Sequence, residues 1–171
     1  METRILLAIH AWSSPSLDTL FWLSHQFGTA WFCVPLIVAA ATWNRRRGDG
    51  AEAWLWLALG LSTYCLQEGL KLLVARPRPF LWPPLVSVAS LSFPSGHAVA
   101  SATFYPLLAR DWARMRPGPS TAAYAAAVLF ALYIGFGRLY LGVHWPTDVL
   151  AGWAIGAAQT LVAIRVRDRG P

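Results

Sequence analysis

The sequence predicts an all-helical integral membrane bundle of about five transmembrane helices with a short N-terminal interfacial segment, and three observations carry that prediction. Of 171 residues, 56% are hydrophobic and 13% charged, with a mean hydropathy of +0.44. At about 20 apolar residues per crossing, this composition supplies four or five spans and leaves little for a separate soluble core. Ten Trp, five Tyr and eight Phe suit the aromatic belts of a bilayer, and clusters of proline and arginine divide the apolar sequence into helix-length pieces. A single membrane domain over residues 1–171 is expected. No internal repeat appears, and the apolar content excludes disorder.

The opening METRILLAIHAW is too short to span, and no small-residue cleavage site precedes Ser13, so it reads as a retained interfacial segment and not a signal peptide. Ser14-Pro15 is a helix start, Ser as N-cap and Pro at the first helical position. That helix runs to about Trp43, but Asp18, His25 and Gln26 burden its first half, so a tilted or broken first span is expected, with these three residues solvated at the interface. A basic loop, Asn44 to Gly48, precedes a second helix from Ala51 to about Val74 that ends in Glu68 and Lys71. Pro77, Pro79, Pro83, Pro84 and Pro94 then keep about twenty residues out of regular helix, and a loop that long in a compact domain is usually functional. A third helix follows from about Ser95 to Arg110. After a turn containing Arg114, Arg116, Pro117, Gly118 and Pro119, a fourth spans Thr121 to about Phe136, and a fifth runs from Pro146 to near Val166.

The net charge of +6 and pI near 10.0 do not indicate nucleic-acid binding, because the arginines punctuate apolar runs and form no continuous basic face. Cys33 and Cys65 lie within apolar runs and read as packing residues. Arginine distribution sets the orientation. In a five-helix layout Arg45, Arg46, Arg47, Arg110, Arg114, Arg116, Arg165, Arg167 and Arg169 share one side, against Arg4, Lys71, Arg76, Arg78 and Arg138 on the other. The richer side is expected to be cytoplasmic. The Pro-rich loop, the Ser95 helix start and the Arg138 to His144 segment then meet on the outer face.

That face carries Lys71, Arg78, Ser95, His97, Arg138, His144 and Asp148. Three cations beside a Pro-Ser-Gly-His helix start make an anion site, since the N–H groups of a helix N-terminus and the open backbone of Gly96 accept a phosphate closely. His97 and His144 supply an acid and a nucleophile. The i,i+4 spacing of His144 and Asp148 lets the carboxylate face one imidazole nitrogen and leaves the other for substrate.

Lys71, six residues, Arg78-Pro79; Pro94-Ser95-Gly96-His97; and Arg138, five residues, His144, three residues, Asp148 together resemble the tripartite signature of the type 2 phosphatidic acid phosphatase (PAP2) superfamily, which includes vanadium haloperoxidases and glucose-6-phosphatase. Small bacterial members similar to undecaprenyl-diphosphate phosphatases fit the layout. One departure stands out: the family usually has Ser before the third-motif arginine, and this chain has Gly137. The resemblance implies that His144 attacks phosphorus to give phosphohistidine, with Asp148 holding its tautomer. It implies that His97 protonates the leaving oxygen and then activates water, while Lys71, Arg78, Arg138, Ser95 and Gly96 bind the phosphoryl oxygens. No metal and no other cofactor is called for.

Other residues carry plainer expectations. Glu68, three before Lys71, is expected to form a helix ion pair with it, with orientation of Lys71 for the site as the sharper alternative. Arg76 lies outside the motif spacing, between interfacial anchor and function. The resulting expectation is an enzyme of a bacterial inner membrane that removes phosphate from a lipid phosphate or diphosphate, best undecaprenyl diphosphate, on the periplasmic or extracellular side. Phosphatidylglycerophosphate, phosphatidate, lipid A phosphates and lipid-to-lipid phosphotransfer are alternatives. A transporter or scaffold is disfavoured because its ionisable groups would lie near mid-membrane. A vanadate-dependent peroxidase does not suit so small an intramembrane chain.

Overall fold

Seven helices appear in a computed structural model that describes residues 1–116, 118 and 120–169. Pro117 and Pro119 of the expected turn lie outside the described residues, as does the side chain of Arg169. The helices are α1 (Glu2–His10), α2 (Pro15–Gln26), α3 (Ala30–Arg46), α4 (Gly50–Val74), α5 (Gly96–Met115), α6 (Thr121–Tyr140) and α7 (Pro146–Arg169). Where one tilted or broken first span is expected, the chain forms two helices, α2 and α3, that meet at a 46° bend. Ser14 caps α2 as its sequence position indicates, its hydroxyl accepting from the Leu17 N–H, with Pro15 in the first turn.

Four helices outrun the sequence reading: α3 takes Asn44, Arg45 and Arg46 out of the expected basic loop, α7 runs to Arg169, and α5 and α6 extend furthest. α5 continues to Met115, because Arg110 and Asp111, which looked like an exposed end, are buried. α6 continues past Phe136 to Tyr140, which puts Gly137 and Arg138 on its last turn. By length and composition α6, the α7 segment 146–168 and, as a bent pair, α2 with α3 are apolar enough to cross a membrane. The charged residues in α4 and α5 weaken the same signal there.

α5 is the central helix, and small residues let it approach α7. A Cβ on Gly152 would press into Ala98 and the Ser95 carbonyl, and one on Gly156 into the Val99 carbonyl and Ala102. Thr160, one turn on, donates its hydroxyl to the Thr103 carbonyl at 3.1 Å. Such a small-residue stripe is how membrane helices gain close contact where the hydrophobic effect gives little. At the top of the pair the Ser95 N–H donates to the Asp148 carbonyl at 3.0 Å, which ties the two helix starts together.

The opposite end is locked by charge. Glu52, fully buried, accepts from Arg110 and Arg114 at 2.7 Å each, and Asp49 pairs with Arg114 and Arg167 at 3.0 Å. Asp111 accepts from Asn44 at 2.7 Å and from the buried Trp56 indole at 2.8 Å. Glu52 and Lys71 sit roughly 28 Å apart along α4 at 1.5 Å per residue, so this cluster and the polar motifs occupy the two ends of the bundle.

Gly156→Ala is expected to lower stability by about 1–3 kcal/mol, since the new methyl meets backbone that cannot give way. Gly69→Ala, where a Cβ meets nothing, is expected to gain about 0.5–1 kcal/mol of helix propensity. Thermal unfolding of the two variants in detergent checks the difference in sign.

Candidate active site

Three segments converge on one end of α5. The first is the loop after α4, which leaves its helix through Ala75 in the left-handed region (φ 49°) and closes on itself where the Ser92 N–H donates to the Arg76 carbonyl at 2.9 Å. Arg78 is threaded back through it. Its Nε donates to the Ser90 carbonyl at 2.6 Å, its Nη2 to the Leu91 carbonyl at 3.1 Å, and its Nη1 to the Val143 carbonyl at 2.6 Å. The same Nη1 lies 2.9 Å from His144 Nε2. Burial lowers the guanidinium to about 10, still a cation at neutral pH.

His144 stands on the second segment, the turn between α6 and α7, where Gly142 takes a positive φ of 68° against the Trp82 ring. Arg78 can only donate, so Nε2 accepts and the ring proton sits on Nδ1. Nδ1 faces Asp148 Oδ2 at 3.6 Å, a distance for electrostatic attraction and too long for a hydrogen bond. Burial, with Arg78 and Arg138 nearby, pushes the imidazole down to about 3 against the opposing pull of Asp148. The ring is therefore neutral at physiological pH, with its Nε2 lone pair unprotonated.

Asp148 is itself tightly held. Oδ2 accepts from the Ser92 hydroxyl and from the Trp145 N–H at 2.9 Å, and Oδ1 takes Arg76 Nη1 at 2.7 Å. Arg76, to which spacing assigned no role, thus bridges Asp148 to Glu2 of α1, and Glu2 also accepts from the Thr147 N–H at 3.0 Å. No spacing rule could have found Glu2, because 145 residues separate it from Thr147.

The third segment is the start of α5. His97 Nε2 lies 3.0 Å from the His25 carbonyl and 2.9 Å from His25 Nδ1, and the two rings stack at 4.9 Å. His25 is thereby corrected from an interfacially solvated residue to a half-buried one inside the polar cluster. It was missed because a lone histidine in an amphiphilic helix carries no motif. Asp18 and Gln26 do not join this group; Asp18 accepts from the Tyr140 hydroxyl at 2.6 Å. Arg138, fully buried, reaches His25 Nδ1 through Nη1 at 2.8 Å, and its Nε and Nη2 have no hydrogen-bond partner among the described residues.

Lys71, Arg78, Gly96, His97, Arg138 and His144 line one cavity of about 240 Å³, which continues between α3 and α4 past Val34, Ile37 and Gly60. Ser95 and Asp148 are fully buried behind it and do not line it; the Ser95 hydroxyl has no partner. Glu68 pairs with Lys71 at 2.6 Å, as the i,i+3 spacing indicates, and is 40% exposed. Gly137 has a steric reason. A Cβ there would overlap the hydroxyl of Ser24, a buried α2 residue whose Oγ donates to the Phe21 carbonyl at 2.6 Å.

The model of the PAP2 superfamily matches residues 51–170. The chain belongs to that superfamily. The crystal structure of a transmembrane PAP2 type phosphatidylglycerolphosphate phosphatase from Bacillus subtilis superimposes with a TM-score of 0.89 at 30% identity, covering 99% of this chain and 86% of that one. Phosphatidylglycerophosphatase B of Bacillus subtilis is 37% identical over 137 residues, which is 77% of this chain and 66% of that protein. The undecaprenyl-diphosphatase of Sulfolobus acidocaldarius is 25% identical over 166 residues, 91% of this chain and 73% of that protein. The chain thus spans about two thirds of the length of the first of these relatives. All three PAP2 motifs fall within the matched segment, whereas His25 and Ser24 lie before it.

Gly137→Ser, which restores the commoner PAP2 residue, is expected to destabilise the fold by about 1–3 kcal/mol through overpacking. Adding Ser24→Ala is expected to recover most of the loss. A double-mutant cycle of unfolding midpoints measures it.

Proposed function

We propose that this chain is a single-domain membrane phosphatase with five spans that removes phosphate from a lipid phosphate or diphosphate at the outer face through phosphohistidine on His144. The observation that carries the reading is the unprotonated His144 Nε2, 2.9 Å from Arg78, on a cavity shared with His97 and the partnerless N–H groups of Arg138. In the first step the Nε2 lone pair forms a bond to phosphorus as the P–O bond to the leaving group breaks, an anhydride bond in a diphosphate and an ester bond in a monophosphate, and His97, as the imidazolium, gives a proton to the departing oxygen. In the second, His97 takes a proton from water, the water oxygen bonds to phosphorus, and the P–N bond breaks to release phosphate. Arg78, Arg138 and Lys71 offset the charge that gathers on the equatorial oxygens. Asp148 steadies the imidazolium that forms on His144, and the Gly96 backbone and Ser95 shape the cradle.

Undecaprenyl diphosphate is the substrate proposed first, consistent with the likeness to the Sulfolobus undecaprenyl-diphosphatase across 91% of the chain. Phosphatidylglycerophosphate is the second reading, favoured by the 37% identity to phosphatidylglycerophosphatase B. Phosphate release by the purified protein from both lipids, with phosphatidate as a third arm, decides between them.

The two histidines are expected to separate on trapping. His97→Ala retains attack on an aryl phosphate, whose leaving group needs little protonation, and accumulates acid-labile, alkali-stable phosphate. His144→Ala traps none. The reverse pattern exchanges the roles. Orientation is read by single cysteines in a Cys-free background: one at the exposed Phe80 is expected to react with an impermeant thiol reagent in intact cells, and one at Arg46 to be shielded.

A further inference from the structure

His25 lies outside the family motifs and before the matched segment, yet its side chain contacts both the proposed acid, His97, and the proposed phosphate ligand, Arg138. The backbone carbonyl of His25 accepts only, so the N–H it receives fixes the His97 proton on Nε2. The other edge of His97 follows. A Cβ on Gly28 would strike His97 Cδ2 and Cγ, so the Cδ2–Nε2 edge faces the α2 side and Nδ1 is turned away from it. Proton exchange with substrate therefore runs through Nδ1. An imidazolium formed there keeps its Nε2–H on His25.

His25 Nδ1 is constrained in the same way. Arg138 Nη1 only donates, so Nδ1 is an unprotonated acceptor, and its single lone pair faces two donors, His97 Nε2 at 2.9 Å and Arg138 Nη1 at 2.8 Å. We infer that His25 is a positioning residue that orients the His97 acid and links it to Arg138, so that phosphate capture and leaving-group protonation are coupled. When phosphate oxygens draw the Arg138 guanidinium, the lone pair of His25 is freed for His97 Nε2–H, and the protonated form of His97 is stabilised as the leaving group needs it. The inference rests on the acid role proposed for His97.

The test compares His25→Asn, whose amide oxygen can stand where Nδ1 does, with His25→Gln, which places its amide near the Nε2 position. His97→Ala is carried as the reference. Each variant is assayed on a lipid monophosphate, phosphatidate in mixed micelles, and on p-nitrophenyl phosphate. For His25→Gln, kcat on the lipid is expected to fall about tenfold or more at little change in KM, with less than about threefold lost on the aryl ester; His25→Asn stays within about threefold of the parent on both. Equal behaviour of Asn and Gln, or an equal loss on both substrates, overturns the inference. So does a fall in Tm shared by both variants without the substrate split, which marks a purely structural role. If His97→Ala itself shows no dependence on leaving group, the acid assignment falls and takes this inference with it. If His97→Ala discriminates and His25→Gln does not, only the role of His25 is lost.

Discussion

Arg78 and Arg138 carry their charges into the protein with no carboxylate in hydrogen-bond contact, and the rest of the site is arranged around that constraint. A buried charge without an opposite partner costs several kcal/mol. Arg78 meets the cost with three backbone carbonyls and the His144 ring, and Arg138 with a single imidazole nitrogen. The far end of the bundle is the control. There Arg110, Arg114 and Arg167 each face Glu52, Asp49 or Asp168, and their charge is neutralised within the protein. Paired arginines hold helices together, whereas arginines left with neutral acceptors keep an electrostatic demand that only an anion satisfies. The proposed phosphate is that anion. Lys71 stands between these cases, since its partner Glu68 is partly exposed and can be left to water.

The same excess of positive charge explains the state of His144. A histidine beside two guanidinium groups in a buried site resists protonation, which suits the nucleophile proposed for His144 before attack and would penalise it afterwards, when a phosphorylated ring would be cationic. Asp148 answers the second need at 3.6 Å without removing the first. Its carboxylate is held in place by Arg76, the Ser92 hydroxyl and the Trp145 N–H. Through Arg76 the N-terminal helix α1 is tied to the proposed reaction centre, since Glu2 grips both Arg76 and the first turn of α7.

What could be read in the sequence follows the range of the interactions. The starts of α2, α4, α6 and α7 come from local caps and prolines, and they sit within a residue or so of their expected positions. The far ends of α5 and α6 depend on partners elsewhere: Arg110 and Asp111 look like an exposed terminus until Glu52, Asn44 and Trp56 cover them. The motif residues were visible because three of the groups recur at fixed spacings, and the structure gathers six of them on one cavity. Arg76, His25 and Glu2 were not, because each is defined by a contact across at least 71 residues of chain. Glu68 was legible for the opposite reason, its partner being one helical turn away.

Helix α2 ties these threads together. It lies before the segment that the superfamily model matches, and in the sequence it is merely a polar half-span. In space it packs behind the site, and Gly28 in the turn that follows it lines the cavity. Ser24 occupies the volume in which a side chain at Gly137 would sit, Gly28 leaves room for the His97 ring, and His25 reaches both His97 and Arg138. Gly137 leaves the space that Ser24 of α2 fills, and Arg138 beside it on the last turn of α6 is fully buried. Packing from outside the motif can alter how tightly Arg138 and His97 are held while every motif residue stays in place, and the 46° bend after Gln26 is what turns this short helix toward them.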